Sequence, residues 1–433
     1  MKKTPVLCLF LCAALFLYAE DKPLRFIELG VEADAAFANS FISVRDIFNK
    51  ERTFVLDLNK LAEHDLGLMV TAKATVFFNL ALNAGLGFGL FTSIKADTVG
   101  TLPRTVLSLI AHGNADNQYM YSDTMRLTAN VFADMGVRVY KKFGKLKLTA
   151  LPALFIPLVY MPEPSVVYSV DTRNGLNVNV NASADLYSPV PLESLMNGGG
   201  FDINQSLNEL LVSHGFDLSF NAEFELSSKL YLGASIINFP LKPALLNYRT
   251  RYDLAFSLEN EQLLESIMDD TFMKNINDAI SDILVEPQYY DNAGYKAIRP
   301  IRFDFYTISR PLRRNLVLFK TNIGFSVVNA ALFNVRSALT RQFKQPEVRY
   351  YFNIGSGVSV HLGRFATLGA QIAYQEQMWH HQFSLGLNLH FIAIDLALSL
   401  QSLAPATKEG FLDSIKLNQA KGIGLTFGFR LGI

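Results

Sequence analysis

The sequence predicts an all-β protein, a transmembrane antiparallel β-barrel of about 14 strands (a range of about 14 to 16), with short amphipathic helices in its outer loops or hatch. Three observations point there. The chain opens on a secretory signal, continues as one alternating apolar and polar strand after another, and never again offers an apolar run long enough for a membrane helix. An exported chain of this kind belongs in the outer membrane of a Gram-negative-type envelope.

The signal comes first. Met1-Lys2-Lys3 is a cationic start, Val6 to Leu17 is apolar, and Leu17-Tyr18-Ala19 before Glu20 places the cut after residue 19. Both cysteines, Cys8 and Cys12, fall inside that peptide, so the exported chain has no thiol for a disulfide or a metal. A lipoprotein would need a small residue before Cys12, where Leu11 stands. Removing Lys2 and Lys3 leaves 39 − 2 = 37 basic against 39 acidic residues, with no basic stripe for nucleic acid. The remaining 433 − 19 = 414 residues show no linker or shift of composition, and residues 20–433 read as a single barrel domain.

Alternation assigns the faces. Ile27, Leu29, Val31, Ala33 and Ala35 oppose Glu28, Gly30, Glu32 and Asp34; Leu66, Leu68, Val70, Ala72 and Ala74 oppose Asp65, Gly67, Thr71 and Lys73. Phe216, Leu218, Phe220, Ala222, Phe224 and Leu226 likewise oppose Asp217, Ser219, Asn221, Glu223 and Glu225. A wall in lipid puts the apolar set outside and the charges in the lumen. A β-sandwich also alternates, but its strands do not carry up to four ionisable groups on one face from end to end. The last strand alternates Ile423, Leu425, Phe427, Phe429, Leu431 and Ile433 with Gly424, Thr426, Gly428 and Arg430. It resembles the C-terminal signal read by the barrel assembly machinery, with Ile433 in place of the usual Phe.

Short turn signals stand at Lys141-Lys142-Phe143-Gly144, Arg173-Asn174-Gly175, Ser227-Ser228-Lys229, Pro311 to Asn315 and Leu362-Gly363-Arg364, the expected periplasmic ends. Long connections near 38–63, 93–123, 187–214, 258–297, 329–346 and 403–420 are expected outside. The longest carries apolar residues at helical spacing, among them Leu263, Ile267, Phe272 and Ile276, opposite an acidic face from Glu259 to Glu286. Shorter stripes follow Phe41, Val106, Ile203 and Ala331. Such helices either cap the barrel or leave an apolar groove for a lipid-like ligand. Lipid of the outer membrane and a hydrophobic small molecule are thus the expected partners.

Strand phase fills the lumen with Glu28, Glu32, Asp34, Asp65, Lys73, Arg126, Arg138, Asp217, Glu223, Glu225, Arg249, Arg251, Asp253, Arg302, Asp304, Lys320, Arg349 and Arg430. Cross-strand ion pairs are the plain expectation. Arg249 and Arg251 share one face and are candidates to hold a ligand carboxylate. Gly85, Gly87 and Gly89 would leave an inner wall bare of side chains, open to a plug or a ligand, or bend the strand; Gly355 and Gly357 do likewise. No Gly-x-Ser-x-Gly or His-Glu-x-x-His motif occurs, and no catalytic residue, metal or cofactor is predicted. His380 and His381 are neighbours that face opposite ways, and Trp379 reads as an interface anchor.

The hairpin His214 to Phe224, a short turn, then Lys229 to Ile236, together with the stretch Arg299 to Phe325, resembles the FadL-like long-chain fatty-acid transporters and related barrels of Bacteroidota and spirochaetes. That resemblance implies a 14-stranded barrel with an internal hatch, taking hydrophobic molecules from an outer groove towards a lateral opening. The sequence departs from that pattern at its start, where a wall-like strand begins by Phe26 and no Asn-Pro-Ala occurs. A hatch is therefore expected from 38–63 or from the helix after Glu259. The favoured expectation is passive uptake of hydrophobic compounds, with long-chain fatty acids as the cargo. A general diffusion porin, or a non-transport surface protein such as an adhesin or a secretion or assembly partner, is the alternative.

Overall fold

The computed structural model describes residues 26–39, 66–82, 85–102, 120–162, 165–171, 177–191, 203–258, 287–311, 316–328, 349–363, 365–375, 378–403 and 420–433. In chain order the strands are β1 (Ile27–Asn39), β2 (Leu66–Leu82), β3 (Leu86–Leu102), β4 (Met120–Phe143), β5 (Leu146–Tyr160), β6 (Ser165–Asp171) and β7 (Asn177–Ser188). After the helix Ile203–Val212 come β8 (Gly215–Ser227), β9 (Leu230–Lys242), β10 (Ala244–Leu246), β11 (Tyr248–Leu258), β12 (Gln288–Tyr290) and β13 (Tyr295–Ala297). The remainder are β14 (Ile301–Ser309), β15 (Val317–Val328), β16 (Arg349–Leu362), β17 (Ala366–Gln375), β18 (Met378–Leu389), β19 (Ile392–Leu403) and β20 (Gly422–Gly432).

Fourteen of these strands close into one antiparallel barrel. The ring runs from β1 through β5 in order, passes to β8 and β9, then β14 to β20, and closes where β20 pairs with β1 from Gly432↔Glu28 to Gly422↔Ala38. Closure gives every ring strand a partner on both sides, which suits a wall in lipid, where an unpaired backbone group is costly. The expected alternation holds: every ring strand carries an outward hydrophobic side chain that is 36 % to 63 % exposed, namely Leu29, Val76, Leu90, Met135, Leu154, Phe220, Leu232, Phe305, Ile323, Phe352, Leu368, Phe383, Leu396 and Leu425. A soluble sandwich buries that face between sheets, whereas here it is the outside of a closed ring. No helix of the described residues is long and apolar enough to cross a membrane. The molecule is a transmembrane barrel of the outer-membrane type, spanning with strands.

The pairs of strand ends β2–β3, β4–β5, β8–β9, β14–β15, β16–β17 and β18–β19, separated by few residues in the sequence, all lie at one end. Both ends of the ring meet there, Ile27 and Ile433 exchanging backbone bonds of 3.2 and 3.1 Å. One expected turn belongs elsewhere. Residues 172–176 lie outside the described residues, but β6 and β7, which they join, sit at the opposite end, β6 pairing with the first residues of β4 from Met120↔Asp171 to Met125↔Val166. Asn-Gly marked a hairpin correctly and its end wrongly, because turn chemistry carries no sense of direction.

The strands are also longer than a membrane requires. β3 continues to Leu102 and β4 already begins at Met120, so both flanks of the connection expected at 93–123 are strand, and residues 103–119 between them lie outside the described residues. At about 3.3 Å per residue, the 24-residue β4 exceeds any hydrocarbon core and carries a side sheet, β6-β7-β11-β12, above the ring. Of the expected loop helices, Ile203–Val212 is present, while the stripes after Phe41, Val106 and Ala331 and the one containing Leu263, Ile267, Phe272 and Ile276 lie outside the described residues.

Candidate functional site

The shortest ladder of the ring joins β9 and β14. Their ladder runs from Leu230↔Ser309 to Ile237↔Arg302 and stops. Asn238 takes the left-handed conformation, with φ 56°. Pro240 then offers no N–H for a ladder, and Pro243 separates β9 from β10. Beyond Asn238, Phe239, Pro240 and Lys242 pair only with β8 among the described residues. On the other side of this seam the chain before β14 has turned inward, tied by Asn238 Nδ2 donating to the Pro300 carbonyl at 3.1 Å. Phe239 and Leu241 stay exposed outside, at 47 % and 53 %.

What turns inward is a small two-stranded insert. β10 and β13 pair antiparallel, Ala244 with Ala297 and Leu246 with Tyr295. Ala244, Leu246 and Ala297 are fully buried in a cluster with Phe132 of β4 and Phe155 and Tyr160 of β5, whose side chains face the lumen. The rings form a continuous series: Tyr187 stacks on Tyr295 at 4.1 Å, Tyr295 lies 5.6 Å from Tyr160, Tyr160 6.2 Å from Phe132, and Phe132 6.3 Å from Phe155. Burial pushes the hydroxyl pKa of Tyr295 above that of an ordinary tyrosine, the neighbouring Tyr187 adding to it, so the phenol stays neutral.

Past the insert, Arg299 reaches the wall. Its Nε and Nη2 donate to the two carboxylate oxygens of Asp217 on β8, both at 2.7 Å, and Nη1 donates to Asp134 on β4 at 2.8 Å. The guanidinium lies over the Phe155 ring at 5.1 Å. Asp134 also accepts from Ser93 Oγ at 2.6 Å. The Arg299 and Asp134 side chains are 12 % and 11 % exposed and that of Asp217 is 1 %. Two carboxylates share one guanidinium, which gives three of its five N–H donors to them, so the formal charge of the cluster is negative.

Elsewhere the inner wall is covered by rings lying across glycines. Gly30 faces Phe77, Gly136 faces Phe91, Gly87 faces Tyr140, Gly215 faces Phe155 and Gly233 faces Tyr306, each a direct cross-strand pair. A Cβ at any of these glycines would fall inside the opposite ring's van der Waals envelope. The glycines therefore seat aromatic side chains flat against the wall. Gly87 does not leave the wall bare, as expected from sequence: Tyr140 covers it. Gly89 meets the Asn79 side chain, Gly355 meets Asn322, and Gly85, with φ +69°, is the residue of the β2–β3 turn.

Arg249 and Arg251 are not in the lumen wall, nor is Asp253. All three lie on β11, which pairs with β7 and β12 in the side sheet. Phase alone could not reveal this, since a strand of a side sheet alternates like one of the ring. Arg249 Nε is 3.6 Å from Asp185 and its guanidinium lies 4.2 Å from the Tyr290 ring centre, while Arg251 Nε donates to both oxygens of Asp253 at 2.9 Å. Each guanidinium faces a carboxylate of the protein. The expected cross-strand ion pairing of the lumen is found at Arg430 of β20 with Asp395 of β19, whereas Arg302 pairs along its own strand with Asp304, 2.6 Å away. Asp65 and the side chains of Arg126 and Arg349 lie outside the described residues. Trp379 is 8 % exposed against the Tyr374 ring at 5.2 Å, so it is packed, not an exposed interface anchor. Among the described residues no group of His, Cys, Asp or Glu is arranged to hold a metal.

Asp134 and Arg299 escaped the sequence reading for different reasons. Asp134 shares the phase of Arg138 four residues on and was legible by counting back along β4. Arg299 sits in a connection, where no periodicity applies.

No family model matches the chain, and no curated protein matches it. Among solved structures it is similar to the Pseudomonas putida toluene transporter TodX (10 % identity, TM-score 0.47, covering 94 % of this chain and 90 % of that one). It is also similar to the Ralstonia pickettii toluene transporter TbuX (8 %, 0.43, 94 % and 90 %) and a Pseudomonas aeruginosa FadL homologue (9 %, 0.43, 94 % and 89 %).

Proposed function

We propose that this barrel is a passive outer-membrane channel for hydrophobic compounds, entered from the long-connection end, which faces outward, and left through the seam between β9 and β14. The observation that carries this reading is the aromatic and aliphatic cluster of Phe132, Phe155, Tyr160, Leu246 and Tyr295 standing inside the barrel beside a wall whose ladder stops at Ile237. Apolar contacts suit a cargo that leaves water, and a seam edged by Phe239 and Leu241 would let it pass sideways into lipid. A diffusion porin needs an open aqueous lumen. Here the insert and the Arg299 cluster occupy the cross-section next to β4, β5 and β8. Long-chain fatty acid, the cargo expected from sequence, belongs to this proposal as one member of the class.

The test is transfer into lipid vesicles carrying the purified barrel, beside protein-free vesicles and planar-bilayer conductance. Faster entry of a neutral hydrocarbon or a fatty acid, with small ion conductance, supports hydrophobic transport. Large steady conductance without such entry leaves a porin. Neither signal leaves a surface protein that moves nothing.

A further inference from the structure

The cluster of Arg299, Asp134 and Asp217 is hard to explain as a stabilising device. A buried ion group loses hydration that its Coulomb attraction only partly returns, and apolar residues of similar volume often do as well or better. Here two carboxylates share one guanidinium, leaving an extra negative charge beside Phe155. What such a group does supply is position. Its three bonds of 2.7 to 2.8 Å are directional and are lost on a displacement of about an ångström.

The insert packs on the wall through apolar side chains, and its ionic attachment is Arg299. Arg299 belongs to the link between β13 and β14, and the carboxylates stand on β8 and β4, with β5 between them, so the contact reaches across the inside of the barrel. The two strands of the insert are short, three residues each, the side chains buried on it, Ala244, Leu246 and Ala297, are mostly small, and the chain between them runs through β11 and β12 of the side sheet. Its ladder joins β10 to β13 alone, and outside that ladder the Leu245 N–H donates to the Ser213 carbonyl at 3.2 Å. Apolar contacts of this kind tolerate small shifts, whereas the three ionic bonds fix one placement, so the bonded contact is what sets where the insert sits.

We propose that Asp134, Arg299 and Asp217 form a latch that holds the β10–β13 insert across the lumen, and that its release is the opening step of the channel. This rests on the channel reading above and adds which contact must break. The latch is positional, so its loss changes the population of the open form rather than the fold.

The experiment is planar-bilayer conductance of the full chain and of Arg299→Ala, Asp134→Asn and the exchanged pair Arg299→Asp with Asp217→Arg, each first shown to be folded by its heat-dependent mobility on a gel. The wild type is expected to conduct weakly. Arg299→Ala should raise the open population by about tenfold or more. Asp134→Asn, which keeps the Asp217 pair, should raise it less, and serves if the alanine variant does not fold. The exchanged pair should return part of the closed behaviour. Conductance of folded Arg299→Ala and Asp134→Asn equal to wild type overturns the latch. Hydrophobic entry measured on the same vesicles separates the two ideas: rising conductance with no entry keeps the latch and removes the hydrophobic cargo, while flat conductance with normal entry does the reverse.

Discussion

Replacing Gly233 by alanine tests whether the glycines of the inner wall are seats for aromatic rings. Gly233 on β9 is the direct partner of Tyr306 on β14, four residues before their ladder ends at Ile237. A Cβ there would lie 2.5 Å from Cε1 of Tyr306 and closer still to Cζ and Cε2. Ordinary carbon contacts are about 3.5 to 4.0 Å, so the ring must move by about 1 to 1.5 Å. It is not free to do so. Tyr306 is 9 % exposed and packs on Ile308, Leu318 and Tyr231, with the Lys320 ammonium 4.7 Å from its centre. Its hydroxyl donates to Asn221 at 3.0 Å and lies 3.3 Å from Glu223, both of which the shift would disrupt. Overpacking of this kind costs about 1 to 3 kcal/mol, and a lost hydrogen bond about another 1 kcal/mol, more where the acceptor is charged. We expect Gly233→Ala to lose about 2 to 4 kcal/mol, read from urea unfolding of the barrel in lipid vesicles. Adding Tyr306→Ala removes the clash, so the double variant should cost clearly less than the sum of the singles. A Gly233→Ala barrel within about 0.5 kcal/mol of wild type, or strict additivity in the double variant, would refute the reasoning.

Three further outcomes follow from the same geometry. Phe305, 60 % exposed on the outer face of β14, should tolerate leucine, while Phe305→Arg should destabilise the vesicle-inserted barrel by about 2 to 4 kcal/mol if it lies near the bilayer midplane; equal stability of the two variants counts against a lipid-facing wall. Arg430 pairs with Asp395, but that carboxylate is 41 % exposed, so Asp395→Asn should cost less than about 1 kcal/mol in the same unfolding assay. The Tyr295 hydroxyl has a raised pKa in the folded barrel, so its contribution is complete below the unfolded value of about 10 and is lost as pH rises through the higher folded value. The urea midpoint should fall above about pH 10, and Tyr295→Phe should flatten that fall; an unchanged profile would show that the phenol titrates normally.

The ring was legible because a barrel wall obeys one rule at every residue. Leu29 against Glu28, Phe220 against Asp217 and Leu425 against Gly424 take the faces that alternation assigned, since side chains on a strand leave on opposite sides whatever lies around them. Glycine was read less well. Gly87 looked like a gap until its partner was known to be Tyr140, and partnership is a matter of register between strands about fifty residues apart. The candidate site was almost illegible. Leu246 and Ala297 look like unremarkable loop residues, and Arg249 with Arg251 drew attention that belonged to Arg299, because a lone arginine in a connection has no phase to betray it.

By itself, then, the sequence determined an alternating all-β wall, its apolar outward face and most of its hairpin turns, all of which are local or period-two properties of the chain. Only the tertiary structure decided that β6, β7, β11 and β12 leave the ring, that the β9–β14 ladder stops at Ile237, and that the chain between them folds inward to place Arg299 on Asp217 and Asp134. The last of these depends on contacts between residues 82 and 165 positions apart. No local pattern encodes such a pairing, because its energy comes from burial and charge partners that exist only once the barrel has closed.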